Sequence, residues 1–209
     1  MSRIVIFGAG GRAGRRAVAE ARRRGHNVTA VVRDPARYTG PEDSGVQITT
    51  GDVTDTATVA ELSAGHDAAI NAAAVVQEAD AFFTNATKAL VTALPQAGVN
   101  RLIAIGLASL LPGPDGTRLL DTPGSPAQFR PFCLAHAAGL EILRTEGGAL
   151  DWLYISPAGD FDHEGERTGR YDIRAHGDMA TRISYPDFAV TVLDEIDTPR
   201  HHRQHLAVT

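Results

Sequence analysis

A chain of 209 residues with 43% hydrophobic content is long enough for one domain with a real core, or one domain with a small annex. A net charge of −5 offers no basic surface to draw nucleic acid, and no apolar run reaches the roughly 18–20 residues of a membrane span. The single cysteine, Cys133, cannot form an internal disulfide, and the N-terminus runs directly into an apolar strand without a signal-peptide pattern, so a reducing, cytoplasmic setting is expected.

Arg3–Phe7 reads R-I-V-I-F, a short apolar run of the kind buried on both faces of a sheet. It runs straight into G-A-G-G-R-A-G (8–14), which holds Gly8, Gly11 and Gly14. Residues 12–24 are rich in Ala and Arg, lack Pro and end at Gly25, which predicts a helix closed by a C-terminal glycine. Asn27–Val32, N-V-T-A-V-V, is a second strand. This βαβ unit places glycines where backbone N–H groups can approach a pyrophosphate at the positive end of a helix, as in a Rossmann domain. The G-x-x-G-x-x-G spacing is wider than the G-x-G-x-x-G of ordinary dehydrogenases. Gly10 admits the narrower reading, with Ala13 last.

Strands and helices go on alternating, which predicts an α/β fold with a doubly wound parallel sheet. A loop over 34–45 is rich in Pro, Gly and Asp; 46–49 is strand three, and 54–62 a short helix capped by Asp52 or Thr54. Residues 67–71 form strand four, 77–96 a helix, and Arg101–Ile105 strand five. A Pro- and Gly-rich loop covers 106–126, a helix 131–145, and strand six 152–156. The alternation then stops. The polar, glycine-dotted stretch 159–182 is expected to form a substrate-side annex, about 157–182 in all, within a single domain spanning 1–209. Residues 185–195 make a last helix, capped by Ser184 with Pro186 in its first turn, and 206–208 a short terminal strand.

In such a domain the residue ending strand two chooses the cofactor: an acid there bonds a ribose 2′-hydroxyl, a cation holds a 2′-phosphate. Strand two here ends V-V-R-D, so Arg33 occupies that position, with Arg12 in the glycine loop able to reach the same phosphate. Both favour NADPH over NADH, while a shift by one residue would put Asp34 there instead. Asp52, in G-D-V-T-D (51–55), could meet an adenine edge through its side chain or the adjacent N–H of Val53; its other reading is a helix cap. Asn71, Ala72 and Ala73 follow strand four and are small enough to let a cofactor lie across the sheet.

Together these segments resemble the atypical short-chain dehydrogenase/reductases, most closely the NAD(P)H-binding branch that holds flavin and biliverdin reductases and NmrA-like redox sensors. The likeness also draws on G-H-D-A-A-I-N (65–71), G-V-N-R-L-I (98–103), H-A-A-G-L-E-I-L-R (136–144) and S-P-A (156–158), so it covers nearly the whole chain in order. It implies bound NADP and hydride transfer as the common activity, without fixing a substrate.

Classical members use a Tyr-x-x-x-Lys pair, in which the lysine lowers the tyrosine pKa. The only lysine here is Lys88, with Thr84 four residues before it, so that pair is absent. His136 lies on the helix that would carry the tyrosine, and the resemblance marks a histidine near this position; at an ordinary pKa near 6.5 it could donate a proton or orient a substrate. The likened reductases often carry a hydroxyl after strand five. Leu107 stands in its place here, and Ser109 is the nearest one. Pro157 and Ala158, after strand six, are expected to approach a nicotinamide through backbone atoms. Cys133 reads as a small buried hydrophobe. His201, His202 and His205 read as a solvated turn rather than a metal site, and Asp160, Asp162, His163, Glu164 and Glu166 as an exposed loop or a substrate mouth. The expected activity is an NADPH-dependent reductase of a flavin, quinone or similar conjugated acceptor, monomeric or homodimeric. The alternative is a regulator that senses NADP(H) without turnover.

Overall fold

The computed structural model describes residues 1–41, 45–123 and 125–209, so residues 42–44 of the expected loop 34–45 and Gly124 of the loop 106–126 lie outside the described residues. In chain order the regular elements are β1 (Arg3–Phe7), α1 (Arg12–Arg23), β2 (Asn27–Val32), β3 (Val46–Thr50), α2 (Thr56–Ser63), β4 (Ala68–Asn71), α3 (Ala79–Gln96) and β5 (Arg101–Ile105). They continue with α4 (Arg130–Glu146), β6 (Asp151–Pro157), β7 (Asp160–Asp162), β8 (Ile173–Arg174), β9 (Arg182–Ser184), α5 (Tyr185–Asp197) and β10 (Gln204–Val208). Eight strands form one sheet in the order β3-β2-β1-β4-β5-β6-β10-β8. All its pairings are parallel except the edge pairing of β8 with β10. This is the Rossmann-type α/β arrangement that the alternation predicts.

The pleat of each central strand divides the core. Val5 and Phe7 of β1, Leu102 of β5, and Trp152 and Tyr154 of β6 pack with α2, α3 and α4. Ile4, Ile6, Ile103, Leu153 and Ile155 pack on the opposite face with α1 and α5. Strands buried on both sides must be apolar throughout, which is why these runs carry no polar alternation. Helix α1 ends as the sequence predicts. Gly25 has φ +83, and His26 N–H donates to Ala21 O at 3.0 Å, closing the last turn.

Some boundaries differ from expectation. Helix α2 begins at Thr56, and its cap is Asp55, whose carboxylate accepts the Thr58 N–H at 2.7 Å. Asp52 instead accepts the Thr54 N–H and hydroxyl at 2.9 and 2.8 Å, closing a turn before the helix. Strand β6 is longer than expected because Pro157 still pairs with Val208 of β10. The stretch expected as annex holds β7 and β9, which form a small parallel pair, and β8, which extends the main sheet.

Between β7 and β8 the chain runs along α1. Arg167 forks onto Glu20 of α1, Nε to Oε2 at 2.9 Å and Nη2 to Oε1 at 3.1 Å. Glu20 also receives Arg23 and Arg24, and Arg24 reaches on to Asp194 and Asp197 of α5 at 2.7 and 2.8 Å. Burial alone would raise the Glu20 pKa, but the bonds from Arg23, Arg167 and Arg24 outweigh it and hold the carboxyl well below the usual range. A depressed carboxyl stabilises the fold above its unfolded pKa, near 4.5, and that contribution is lost as pH falls further. Replacing Glu20 by Gln leaves three guanidiniums around a neutral amide. Because Arg23 and Arg167 are over a third exposed, the expected loss is about 2 kcal/mol at neutral pH rather than the larger cost of a fully buried pair. Urea unfolding at pH 7 measures it; an unchanged midpoint would show that the cluster does not hold α1 to the chain crossing it.

Candidate functional site

Strands β1 and β4 are neighbours, but the chain leaves β1 towards β2 and β4 towards β5, so a crevice opens between their carboxyl ends. Gly8 ends β1 with φ +75, and a Cβ there would run into the backbone of Ala72 and Ala73 at the end of β4. The turn is tied on both sides: Ala72 N–H donates to Phe7 O at 2.9 Å and Ala9 N–H to Val31 O at 3.1 Å. Gly14 has a second steric duty, because its Cβ would overlap the Gly8 carbonyl and press on Ala9 Cα. Gly8 and Gly14 are therefore demanded by the fold itself.

Gly10 is not, whereas a Cβ on Gly11 would press on the Gly8 carbonyl at 3.3 Å. Both are exposed, and a Cβ on Gly10 would find its nearest neighbour, Val32 Cγ1, at an ordinary 3.5 Å. Gly11 caps α1 without a side chain, and the first-turn amides of Arg12, Ala13 and Gly14 have no partner within the helix. A bare backbone at the positive end of a helix fits a pyrophosphate.

At the end of β2, Arg33 is exposed and forms no ion pair among the described residues. Asp34 is committed elsewhere: its carboxylate accepts the Ala36 N–H at 3.0 Å and lies 3.6 Å from Arg37. Arg12 donates to His163 Nδ1, beyond β7, at 2.7 Å. On the β3 side, the Asp52 carboxylate is exposed but held by Thr54, and Val53 is buried in the core. Asn71 Oδ1 accepts the Ala73 N–H at 3.2 Å and shapes the wall facing Gly8.

Beneath this wall lies a cavity of about 20 Å³, bordered by Asn71, Ala73, Phe83, Thr87, His136 and Tyr154 among others. His136 is 5% exposed, its ring centroid 3.7 Å from that of Phe83 and 4.9 Å from that of Phe132. Its Nδ1 lies 3.0 Å from the Tyr154 hydroxyl, and its Nε2 has no hydrogen-bond partner among the described residues. Burial pushes the imidazole down to about 3, so it is neutral at physiological pH, not the imidazole of ordinary pKa expected from the sequence. The Ser109 hydroxyl, in a 3-10 turn after β5, donates to Cys133 Sγ at 3.3 Å. Tyr154 was not singled out from the sequence. The signal was there in β6, where Trp152 and Tyr154 alternate onto the face that α4 covers.

Pro157 lies inside β6, and Ala158 engages both backbone groups within the protein: its N–H with Val208 O and its carbonyl with Asp178 N–H, each at 2.7 Å. That argues against Ala158 meeting a ligand through its backbone. Of the C-terminal histidines, His202 is exposed in the segment before β10, as a solvated turn predicts, while His201 and His205 are half-buried. His201 pairs with Glu195 at 2.6 Å, His202 with Asp151 at 2.9 Å, and His205 with Ser156 at 2.7 Å. No group of three or more metal-ligating side chains gathers among the described residues.

The model of a family described as NAD(P)H-binding matches residues 8–199. The chain belongs to that family. It is 34% identical over 215 residues to the uncharacterized protein YwnB of Bacillus subtilis, covering 99% of this chain and 97% of that one. Among solved structures, a protein of Burkholderia pseudomallei named "Putative exported protein" is 36% identical over all of both chains, with a TM-score of 0.86. A "putative NADH-flavin reductase" of Streptococcus pneumoniae is 30% identical, covering 100% of this chain and 99% of that one, with a TM-score of 0.81. No helix among the described residues is long and apolar enough to cross a membrane.

Two measurements test this geometry. Gly8→Ala is expected to destabilise by about 2 kcal/mol or more, through a strained φ and overpacking against β4, whereas Gly10→Ala leaves the urea midpoint within about 0.5 kcal/mol. Equal midpoints for the two variants would overturn the assignment of Gly8 to the fold. Second, burial depresses both His136 and His205, to about 3 and about 4. Their neutral forms stabilise the fold fully above the unfolded pKa near 6.5, and that contribution is lost as pH falls towards 4. The thermal midpoint should fall steadily from pH 7 to pH 4, with a flatter slope when both are replaced by Gln. A wild-type midpoint flat across that window contradicts their burial.

Proposed function

We propose that the chain is an NADPH-dependent reductase of a conjugated acceptor such as a flavin or quinone. The observation that carries this reading is the bare backbone at Gly10 and Gly11 beside the positive end of α1, with Arg33 exposed at the end of β2 and in no ion pair among the described residues. The Arg12, Ala13 and Gly14 amides would hold the pyrophosphate. Arg33, with Arg12, would hold the 2′-phosphate through charge-assisted bonds, Asp34 being occupied as a cap. Asp52 and Val53 would border the adenine, Asn71, Ala72 and Ala73 the ribose and nicotinamide, and Pro157 the far rim. When bound, the reduced nicotinamide supplies a hydride. The residues of the chain orient the partners and exclude water, while a conjugated acceptor can take its proton from solvent. On this reading the chain would fall in the flavin-reductase and NmrA-like branch of the atypical short-chain dehydrogenase/reductases. The 30% identity to the streptococcal protein supports the choice of acceptor, and a cytoplasmic monomer or homodimer fits the reading.

One observation favours the second reading, a nucleotide sensor without turnover. The two side chains expected to do chemistry are turned inward, Ser109 onto Cys133 and the neutral His136 onto Tyr154. Mixing the protein with NADPH and FMN or menadione, and following the loss of reduced-nicotinamide absorbance, separates the two. Oxidation above the protein-free rate is expected; tight binding with no turnover across flavins and quinones would leave the sensor. Arg33→Glu should weaken NADPH binding by about 1.5 to 3 kcal/mol and leave NADH binding little changed. An unaltered preference between the two, read by titration calorimetry, would remove Arg33 from the site.

A further inference from the structure

The cavity under Asn71 and Ala73 is small, partly open, and lined by both apolar and polar residues. Its volume of about 20 Å³ exceeds the roughly 10–15 Å³ that one water needs, and it is too small for any organic ligand. His136 lines it, and its Nε2 is buried with no hydrogen-bond partner among the described residues. Asn71, Thr87 and Tyr154 border the same space, so a water there would have polar neighbours on several sides.

Counting protons fixes the tautomer. Burial raises the Tyr154 pKa, so the phenol keeps its proton. If the phenol donates to Nδ1 across the 3.0 Å contact, the ring proton sits on Nε2 and is the one unmet group. If Nδ1–H donates instead, both the phenol proton and the Nε2 lone pair are stranded. The first arrangement leaves one orphan, and a single water satisfies it.

We propose that this cavity binds one ordered water on His136 Nε2–H, and that Tyr154 is the positioning residue that keeps the proton on that nitrogen. The water leads from α4 to the Asn71–Ala73 wall of the crevice. An acceptor seated there meets a neutral O–H donor in place of an imidazolium. That donor faces the acceptor oxygen or nitrogen that gains electron density as hydride arrives, and stabilises it by a hydrogen bond alone. This last role rests on the reductase reading; the water and the tautomer do not.

Nitrogen–proton correlation spectra of the isotope-labelled, cofactor-free protein read the tautomer directly. The expected result is Nε2–H in the wild-type protein, with exchange to water, and a mixture of tautomers in Tyr154→Phe. An Nδ1–H tautomer in the wild type, or an unchanged spectrum in the variant, overturns the positioning role. If Tyr154→Phe does not fold, an atomic-resolution structure of the wild-type protein decides. One water within hydrogen-bond reach of Nε2 is expected there, and a dry cavity overturns the site. Where flavin turnover is measurable, Tyr154→Phe should lower kcat roughly tenfold while KM for NADPH holds; an unchanged kcat overturns the role of the water in turnover. A protein that binds NADPH and reduces nothing fails the reductase reading, and the spectra still decide the water site.

Discussion

The backbone of Gly8 lies so close to that of Ala72 and Ala73 that no side chain fits between them, and the arrangement of the crevice depends on this contact. It brings the carboxyl ends of β1 and β4 together at the point where the chain's direction of winding reverses. It also sets where α1 can begin. Gly14, pressed on the Gly8 carbonyl, holds the first turn of that helix down on the β1 turn. The first-turn amides of the helix, which have no partner within it, are thereby set beside the β1 turn. Of the exposed glycines, Gly10 is left with no packing duty, while Gly11 sits close to the Gly8 carbonyl.

Two kinds of buried polar group surround this centre, and charge separates them. Glu20 remains ionised in a buried place because three guanidiniums reach it. Arg101, at the start of the interior strand β5, joins Asp151, the side chain and carbonyl of Glu195, and the His201 carbonyl through one planar fork. A lysine could not make that set of bonds, so the near-absence of lysine suits these junctions. His136 and His205 hydrogen-bond to neutral partners, Tyr154 and Ser156, and burial, joined at His205 by the Arg144 charge, strips both of charge. The ion-pair networks join elements at the base and at the α1–α5 face. Below the crevice the polar groups are neutral.

The sheet was legible because strands buried on both faces must be apolar throughout, and because each crossover helix is punctuated by glycine or a polar cap. Ser184 capping α5 and Gly25 closing α1 are local rules obeyed locally. What escaped was set by longer-range contacts. The strands β7, β8 and β9 have two or three residues each, too few for any periodicity, and exist through their pairing partners. Asp52, Thr54 and Asp55 all have capping chemistry, and only the start of the helix chose between them. At the candidate site, the glycines, and Arg33 on the reading proposed above, are legible by type and spacing. The state of His136 does not, since its neutrality comes from Phe83, Phe132 and Tyr154 on three different elements.

That neutrality bears on what chemistry the crevice can support. With His136 uncharged, Ser109 turned to Cys133 and Lys88 exposed on α3, no charged acid is held at the crevice by these side chains. An isolated carbonyl accepting hydride becomes an alkoxide, a strong base that needs a proton at once. A conjugated ring spreads the same electron pair over several atoms and can wait for solvent. On the reading proposed above, the missing acid and the choice of acceptor are therefore one fact. A pocket without an acid selects acceptors that carry their own electron sink, and neutral hydrogen-bond donors suffice to orient them.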